Sequence, residues 1–275
     1  MRPTPNAFFL PAESGERFCI HYPAAGDGAL AGVVYAHPFC EEMNKARRMA
    51  ALQSRRLAAA GTAVLQIDLF GCGDSSGDFV DARWEIWKQD LRLALGWLKS
   101  RASGPVALWG LRLGATLAAD VARDRGLGIE QLVLWQPVAS GELLLTQFLR
   151  LRLAAEMLAD GAAQSGVREL RESLRSGSSQ EIGGYVLHPQ LAADIDALRL
   201  SELAPAVGRV HCLEVTATAD PKLSPASQRA MEAWRSKGLD VRSTAVQGEP
   251  FWSTLEITEC EALLSATETS LGRAQ

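Results

Sequence analysis

Short, continuous apolar runs alternate with amphipathic stretches along most of this chain. The run AVLQI at Ala63–Ile67 is representative, and strands buried on both faces of a sheet have this composition. Between the runs, apolar residues recur at three- and four-residue spacing, which predicts helices. The alternation predicts an α/β fold in which helices cover both faces of a mostly parallel sheet.

Eight strands are predicted, together with a series of helices. The predicted strands are Ala7–Leu10, Arg17–Tyr22, Gly32–Ala36, Ala63–Asp68, Val106–Trp109, Gln131–Trp135, Val210–Thr216 and Val241–Val246. The predicted helices are Asn44–Ala60, Ala82–Arg101, Arg112–Asp124, Gly141–Asp160, Ala162–Gly177, Pro225–Lys237 and Leu255–Thr269. The chain has 275 residues, of which 47% are hydrophobic, so it can bury one large core.

The segment 140–200 interrupts the alternation, because its pattern is helical without a clear strand. We therefore predict a core of residues 1–139 and 201–275 and a helical cap, residues 140–200, inserted into that core. Ligands of open α/β sheets bind at the carboxyl ends of the strands. The cap is expected to lie over those ends and to form one wall of the pocket.

Composition narrows the possible partners and the compartment. The net charge of −4 gives no electrostatic reason to expect nucleic acid or an anionic membrane as partner. No apolar run approaches the roughly 18 residues of a membrane span, and no secretory signal is recognisable, which predicts a cytoplasmic protein. The five cysteines form no CxxC pair, so neither a disulfide framework, a metal site nor a cofactor is predicted.

The most informative motif is the segment Val106–Ala115, VALWGLRLGA. A buried strand leads through a Gly-x-Arg-x-Gly turn into a helix, which is the pattern of the nucleophile elbow of α/β-hydrolases. The elbow normally carries serine at its centre, whereas this chain has Arg112. A guanidinium stays protonated in proteins and cannot attack a carbonyl group. Leu113, directly after the elbow residue, joins the predicted ligand-binding set.

Two loops after predicted strands complete the resemblance to that fold. The loop with His37, Phe39 and Cys40 is expected to supply backbone N–H groups to an oxyanion hole, since Pro38 has none. His37 is interpreted either as a ligand-contacting, proton-transferring group or as a brace for the loop. The second loop, DLFGCGDS from Asp68, is expected to be a glycine-rich turn, in which Cys72 is a candidate reactive thiol.

The triad acid and histidine are expected after late strands, in that order. Asp220 fits the position of the acid. The histidine is expected in the segment QGEPFW at 247–252, which contains none; this segment instead adds Glu249 and Trp252 to the candidate ligand-binding residues. Loss of serine or histidine from a serine hydrolase costs on the order of a million-fold in turnover. Ordinary serine hydrolysis is therefore not predicted.

Two roles are considered for Arg112 in the predicted fold. Its position at a helix N-terminus favours anions, and its planar fork can hold a carboxylate or phosphate with two parallel hydrogen bonds. Alternatively, it forms an internal ion pair with Asp220 or Glu249. Both readings hold together if one acid orients the guanidinium while its other edge faces a ligand.

With these residues placed, the chain resembles the exosortase A system-associated hydrolase 2 family, a branch of the α/β-hydrolases. The resemblance covers almost the whole chain and rests on five strings: His37–Lys45, Asp68–Asp78, Trp109–Gly114, Leu145–Arg152 and Pro250–Trp252. It implies a cytoplasmic protein of Gram-negative bacteria linked to exopolysaccharide and PEP-CTERM protein sorting. It also implies that arginine at the elbow is usual for the family.

Two functional hypotheses follow. The first is a hydrolase or acyltransferase acting on acyl esters, thioesters or amides, in which Arg112 stabilises negative charge and Asp220, His37 or Cys72 supplies the remaining chemistry. The second is a non-catalytic protein that binds a small anionic or acyl ligand, or a partner of the export machinery. A covalent adduct on Cys72 would favour the first, and an unprocessed anion on Arg112 the second.

Overall fold

The computed structural model describes residues 4–26, 31–160 and 166–271. Its ten strands are β1 (Asn6–Pro11), β2 (Glu16–Tyr22), β3 (Ala31–Ala36), β4 (Thr62–Ile67), β5 (Val106–Leu111), β6 (Ile129–Trp135), β7 (Gln180–Ile182), β8 (Tyr185–Leu187), β9 (Arg209–Thr216) and β10 (Val241–Gln247). Its eight helices are α1 (Glu41–Ala59), α2 (Trp84–Lys99), α3 (Leu113–Val121), α4 (Gly141–Asp160), α5 (Val167–Arg175), α6 (Pro189–Asp196), α7 (Pro225–Ser236) and α8 (Glu261–Leu271).

Eight strands form one sheet in the order β1-β2-β4-β3-β5-β6-β9-β10. β1 pairs antiparallel with β2, and β2 pairs antiparallel with β4, whereas all other neighbours are parallel. The predicted sheet is thereby confirmed, and all eight predicted strands belong to it. Because β3, β5, β6, β9 and β10 run in the same direction, the loops that follow them meet at one edge of the sheet.

Helices bury both faces of the sheet. On one face, α1 and α8 cover a cluster that contains Trp109, Trp135 and Phe251. On the other, α2, α3 and α7 cover a larger cluster, which continues into the segment between β6 and β9. The central strand β5 is buried along its whole length, as its continuous apolar sequence predicts.

The segment between β6 and β9 contains α4, α5, α6 and a small hairpin of β7 and β8. An antiparallel bridge between Ser140 and Arg199 ties its two ends together. The backbone is so close here that a Cβ on Gly141 would lie 1.7 Å from the carbonyl oxygen of Ile195. Its division from the core as a separate cap domain stays a prediction.

Two elements of the segment between β6 and β9 were not predicted, and two predicted helices begin later in the structure. The hairpin β7–β8 and helix α6 were missed, because each is too short to show a periodic pattern. The last helix begins at Glu261 instead of Leu255, since Leu255 and Ile257 lie exposed in a loop. The second predicted cap helix starts at Val167, and the earlier part of that prediction, 162–165, lies outside the described residues. None of the described helices has the length and apolarity required to cross a membrane.

Candidate functional site

A cavity of about 260 Å³ opens at the edge of the sheet where the carboxyl ends of the parallel strands meet. The first turn of α1, the start of α3, the middle of α4 and the loop after β10 surround it. Its lining residues are Phe39, Cys40, Glu41, Glu42, Lys45, Arg112, Leu144, Gln147, Phe148, Leu151, Trp252 and Ser253. Four residues predicted to bind ligand, namely Phe39, Cys40, Arg112 and Trp252, are therefore brought together.

Arg112 lies at the sharp turn between β5 and α3, with φ 55° and ψ −120°. Such a conformation costs a non-glycine residue about 1–3 kcal/mol and persists only where its surroundings enforce it. Two glycines allow the turn. A Cβ on Gly110 would lie 2.5 Å from the carbonyl oxygen of Gly114, and one on Gly114 would lie 2.2 Å from that of His37. Strand, turn and helix thus have the geometry of an elbow.

A second corner with nearly the same backbone angles precedes α1. Cys40 has φ 49° and ψ −128° and leads from the loop after β3 into the helix. Neither α1 nor α3 has a side-chain cap. The backbone N–H groups of Phe39, Cys40 and Leu113 donate to no acceptor within the described part of the chain. Two helix N-termini with unused donors therefore meet beside the cavity, which favours negative charge there.

The guanidinium of Arg112 is held from one side. Its Nε donates to Glu42 Oε1 at 3.1 Å, and its Cζ lies 5.7 Å from the centre of the Trp252 ring. No acceptor among residues 4–26, 31–160 and 166–271 pairs with its two Nη atoms. The partner is thus Glu42, whereas the sequence reading considered only Asp220 and Glu249. The Nη edge stays available on the cavity wall, with 19% of the side chain exposed.

Glu42 is a partly satisfied carboxyl group. Its Oε1 accepts from Arg112, but its Oε2 is buried and has no hydrogen-bond partner in the described chain. Burial raises the pKa of Glu42, while the positive charges of Arg112 and Lys45 act to lower it. Glu42 lies two residues after the predicted loop HPFC. The sequence did not indicate its contact with Arg112, because nothing distinguishes it from any other acidic residue in the first turn of a helix.

His37 joins two loops and does not line the cavity. The Leu69 N–H donates to His37 Nε2 at 3.1 Å, which places the ring proton on Nδ1, and Nδ1 donates to the Pro38 carbonyl at 2.8 Å. Burial lowers the pKa of the imidazole. Both ring nitrogens are thus engaged with backbone, which is the bracing arrangement. The remaining histidines, His21, His188 and His211, also lie outside the cavity lining.

The cysteine thiols near the site are held in the protonated form. An adjoining narrow cavity of about 10 Å³ is lined by Cys72, His37 and Leu113, and it shares Phe39 and Cys40 with the larger one. Burial raises the pKa of Cys72, and the charges of Asp68 and Asp90 raise it further. Burial likewise raises the pKa of Cys40 well above its usual value. A nucleophilic cysteine requires the opposite shift.

Asp220 and Glu249 lie away from Arg112. The side chain of Asp220 is 79% exposed in the loop after β9, and its Oδ2 pairs with Lys222 at 2.6 Å. Glu249 is exposed in the loop after β10. The apolar wall contributed by Leu144, Phe148 and Leu151 of α4 was not predicted residue by residue. In the sequence these residues differ in no way from the apolar residues of any amphipathic helix.

No cluster of metal-ligating side chains occurs among residues whose placement is described. The lining of the cavity at Arg112 offers one carboxylate pair, Glu41 and Glu42, each of which is already opposed by a basic residue. The arrangement can hold an anion at the Arg112 end and apolar groups against α4 and Trp252.

The mostly parallel eight-stranded sheet, with a strained turn between a central strand and the next helix, defines the α/β-hydrolase fold. Solved structures of this fold are similar to the chain over nearly its whole length. Est1E from Butyrivibrio proteoclasticus, with ferulic acid bound, is 13% identical with a TM-score of 0.69, and the match covers 96% of this chain and 97% of Est1E.

Two further structures have comparable similarity. Proline iminopeptidase from Mycobacterium smegmatis is 14% identical with a TM-score of 0.60, and the match covers 96% of this chain and 97% of that one. XC6422 from Xanthomonas campestris, a serine hydrolase without lid, is 14% identical with a TM-score of 0.58, covering 96% and 92%. No curated protein matches the sequence significantly.

The sequence model of the serine aminopeptidase S33 family matches residues 28–214, which is more than half of the chain. The chain therefore belongs to the serine aminopeptidase S33 family. Membership of the exosortase-associated family stays a prediction.

Proposed function

We propose that this protein binds a small amphiphilic anion and does not hydrolyse it. In this proposal Arg112 stands where catalytic members of the fold carry serine. A guanidinium cannot act as nucleophile, and no histidine reaches the cavity to serve as base. The neighbouring thiols are kept protonated by burial. Without nucleophile and base, turnover falls on the order of a million-fold.

One observation carries the proposal: Arg112 is fixed through Nε by Glu42, and its Nη edge has no acceptor in the described structure. Two parallel N–H groups match the two oxygens of a carboxylate, sulfonate or phosphate. The free N–H groups at the starts of α1 and α3 support the same preference. This arrangement agrees with the hypothesis that an acidic residue orients the arginine while its other edge faces a ligand.

The remaining walls favour an apolar ligand body. Leu144, Phe148 and Leu151 of α4 face the cavity together with Trp252, and burial of apolar ligand surface contributes about 25 cal/mol per Å². A volume of about 260 Å³ lies just below the usual range for drug-sized ligands, so a short hydrocarbon chain or a single ring fits. Est1E, which shares the fold, has ferulic acid bound, and ferulate has this chemistry.

The proposed setting follows the sequence resemblance alone. As part of this proposal, the resemblance to the exosortase-associated family supports a cytoplasmic ligand among the intermediates of exopolysaccharide production or protein sorting. The proposed role of the segment 140–200 is that of a cap, whose helix α4 supplies the apolar wall.

Calorimetric titration with ferulate, octanoate and octanesulfonate tests the proposal. We expect Arg112→Met to weaken binding by at least about 30-fold, because charge-assisted hydrogen bonds contribute about 1.5–3 kcal/mol each. Arg48→Met is the matched control, since Arg48 is half exposed, does not line the cavity and pairs with Glu259. Equal affinity of the Arg112→Met variant and the wild type would contradict the proposal, as would saturable ester turnover by the wild type.

A further inference from the structure

The acid that holds Arg112 is itself positioned to respond to a ligand. Glu42 uses one oxygen, Oε1, to accept from Arg112 Nε at 3.1 Å. Its other oxygen, Oε2, is buried without a partner in the described chain. A buried ionised carboxylate oxygen without a donor is unfavourable. A proton on Oε2 removes the buried charge and leaves the bond between Oε1 and Arg112 in place.

The charge of Glu42 also opposes the binding of an anion. With Glu42 ionised, the charge of Arg112 is largely compensated, and an incoming anion meets a carboxylate beside the guanidinium. With Glu42 protonated, Arg112 presents its full charge. Both residues are only about a fifth exposed, 22% and 19% for their side chains, so solvent screens this interaction weakly.

Few other charges act on Glu42. Arg112 and Lys45 favour its ionised form, and Glu41, which pairs with Lys45 at 3.9 Å, lies beside it on α1. Cys40 and Tyr35 face it from the loop after β3 and from β3 itself, and burial raises the pKa of both.

The other elements that enclose the cavity add no further titratable side chain to its lining, as far as the described residues show. They contribute Gln147 and apolar residues from α4, and Trp252 and Ser253 from the loop after β10. Proton exchange at this site is therefore assigned to Glu42.

We infer that the cavity takes up its anionic ligand together with one proton, which Glu42 holds on Oε2. The proton comes from solvent, and it removes the carboxylate charge beside the guanidinium. No covalent bond of the ligand changes. This inference rests on the proposed anion site. It adds the requirement that a proton is taken up with the ligand, which a site formed by arginine alone does not have.

The sign of the pH dependence follows from linkage. Burial already raises the pKa of Glu42 in the free protein, and an anion bound next to it raises the pKa again. The complex thus holds more protons than the free protein between these two pKa values. Affinity is highest below the free-state pKa, falls as pH rises through the window, and is low above the pKa in the complex.

Alkanesulfonates are suitable probes, because a sulfonate stays ionised throughout the range. Titration of the wild type with hexane-, octane- and decanesulfonate is expected to show binding at least about tenfold tighter near pH 5 than near pH 8, which corresponds to a pKa change of about one unit. Glu42→Gln should bind with equal affinity at both values. Glu259→Gln, which removes a carboxylate outside the cavity lining, should keep the wild-type pH dependence.

A second measurement needs no variant. Titration of the wild type in two buffers of different ionisation enthalpy counts the protons taken up, and we expect net uptake approaching one proton per ligand inside the window. Binding without proton uptake and with equal affinity at both pH values overturns the inference and leaves the anion site intact. Absence of binding at every pH overturns the anion site itself.

Discussion

The ion pair between Arg112 and Glu42 gives a prediction about stability that needs no ligand. Arg112→Met removes the only partner of Glu42 Oε1 in the described structure and leaves a mostly buried carboxylate uncompensated. Removal of one partner from a fully buried pair costs about 3–5 kcal/mol, and from an exposed pair about 0–1 kcal/mol. With about a fifth of each side chain exposed, we expect a loss of about 2 kcal/mol near pH 8.

The double variant isolates the interaction. In Arg112→Met combined with Glu42→Gln, no charge is left unpaired, so the free energy of unfolding should recover to within about 1 kcal/mol of the wild type. Urea denaturation of the wild type, both single variants and the double variant yields the coupling energy, for which we expect about 1.5–2 kcal/mol. Arg48→Met, which breaks the exposed pair with Glu259, should cost under about 1 kcal/mol.

The pH dependence of this loss has a defined sign. In the Arg112→Met variant the folded-state pKa of Glu42 is raised above its unfolded value, because burial remains and the arginine is gone. The contribution of Glu42 to the free energy of unfolding is therefore fully present below its pKa in the unfolded chain. It is lost as pH rises through its pKa in the folded variant. The variant should be closer to the wild type near pH 5 than near pH 8. Additive effects, with a coupling energy below about 0.5 kcal/mol, would refute the reasoning.

Three further predictions concern the catalytic residues that are absent and the cavity wall. Arg112→Ser should give no ester turnover above the buffer rate in a p-nitrophenyl ester assay, because no histidine lines the cavity. Cys72 should react with iodoacetamide at neutral pH more slowly than a free cysteine, as followed by mass spectrometry, since its raised pKa leaves little thiolate. Leu151→Asp should weaken octanesulfonate binding about tenfold, because Leu151 lines the cavity and the new carboxylate repels the anion. The Tm should change little, since Leu151 is 57% exposed. Leu158→Asp, at an 89% exposed position on the same helix, is the control.

For each of these three predictions, one result would contradict it. Measurable hydrolysis by the Arg112→Ser variant would mean that a base reaches position 112. Rapid alkylation of Cys72 would restore the cysteine-enzyme hypothesis. An equal effect of the two aspartate substitutions on α4 would mean that the cavity is not where the ligand binds.

The central strands of the sheet could be predicted from the sequence because they are buried on both faces. Apolar runs such as Ala63–Ile67 are typical of such strands, and their alternation with helical patterns indicates an α/β fold. The short hairpin at 180–187 could not be found in this way, since three-residue strands carry no period. The turn at Arg112 was predictable from Gly110 and Gly114, where a Cβ atom would lie 2.5 Å and 2.2 Å from neighbouring carbonyl oxygens.

The candidate site was predictable only as far as backbone position determines it. Phe39, Cys40 and Arg112 follow directly from strands, and parallel strands bring their ends to one edge of the sheet. The partner of Arg112 was not predictable, because which acid reaches the guanidinium depends on how α1 packs beside α3. Asp220 and Lys222 satisfy each other locally, whereas Glu42 is 70 residues from Arg112 in sequence and meets it only in three dimensions.

The two corners with matching backbone angles, at Cys40 and Arg112, are rigid attachment points for side chains at the edge of the cavity. Both residues have a positive φ, and Gly110 and Gly114 flank the corner at Arg112, where a Cβ atom would clash with neighbouring main chain. The side chain at position 112 can therefore change without a new path for the chain. Evolution can therefore exchange the chemical group at position 112 in one substitution while the neighbouring N–H donors stay in place. The same property makes this protein a host for installed functional groups, such as a designed nucleophile or a reactive non-natural side chain, presented toward a ready-made cavity.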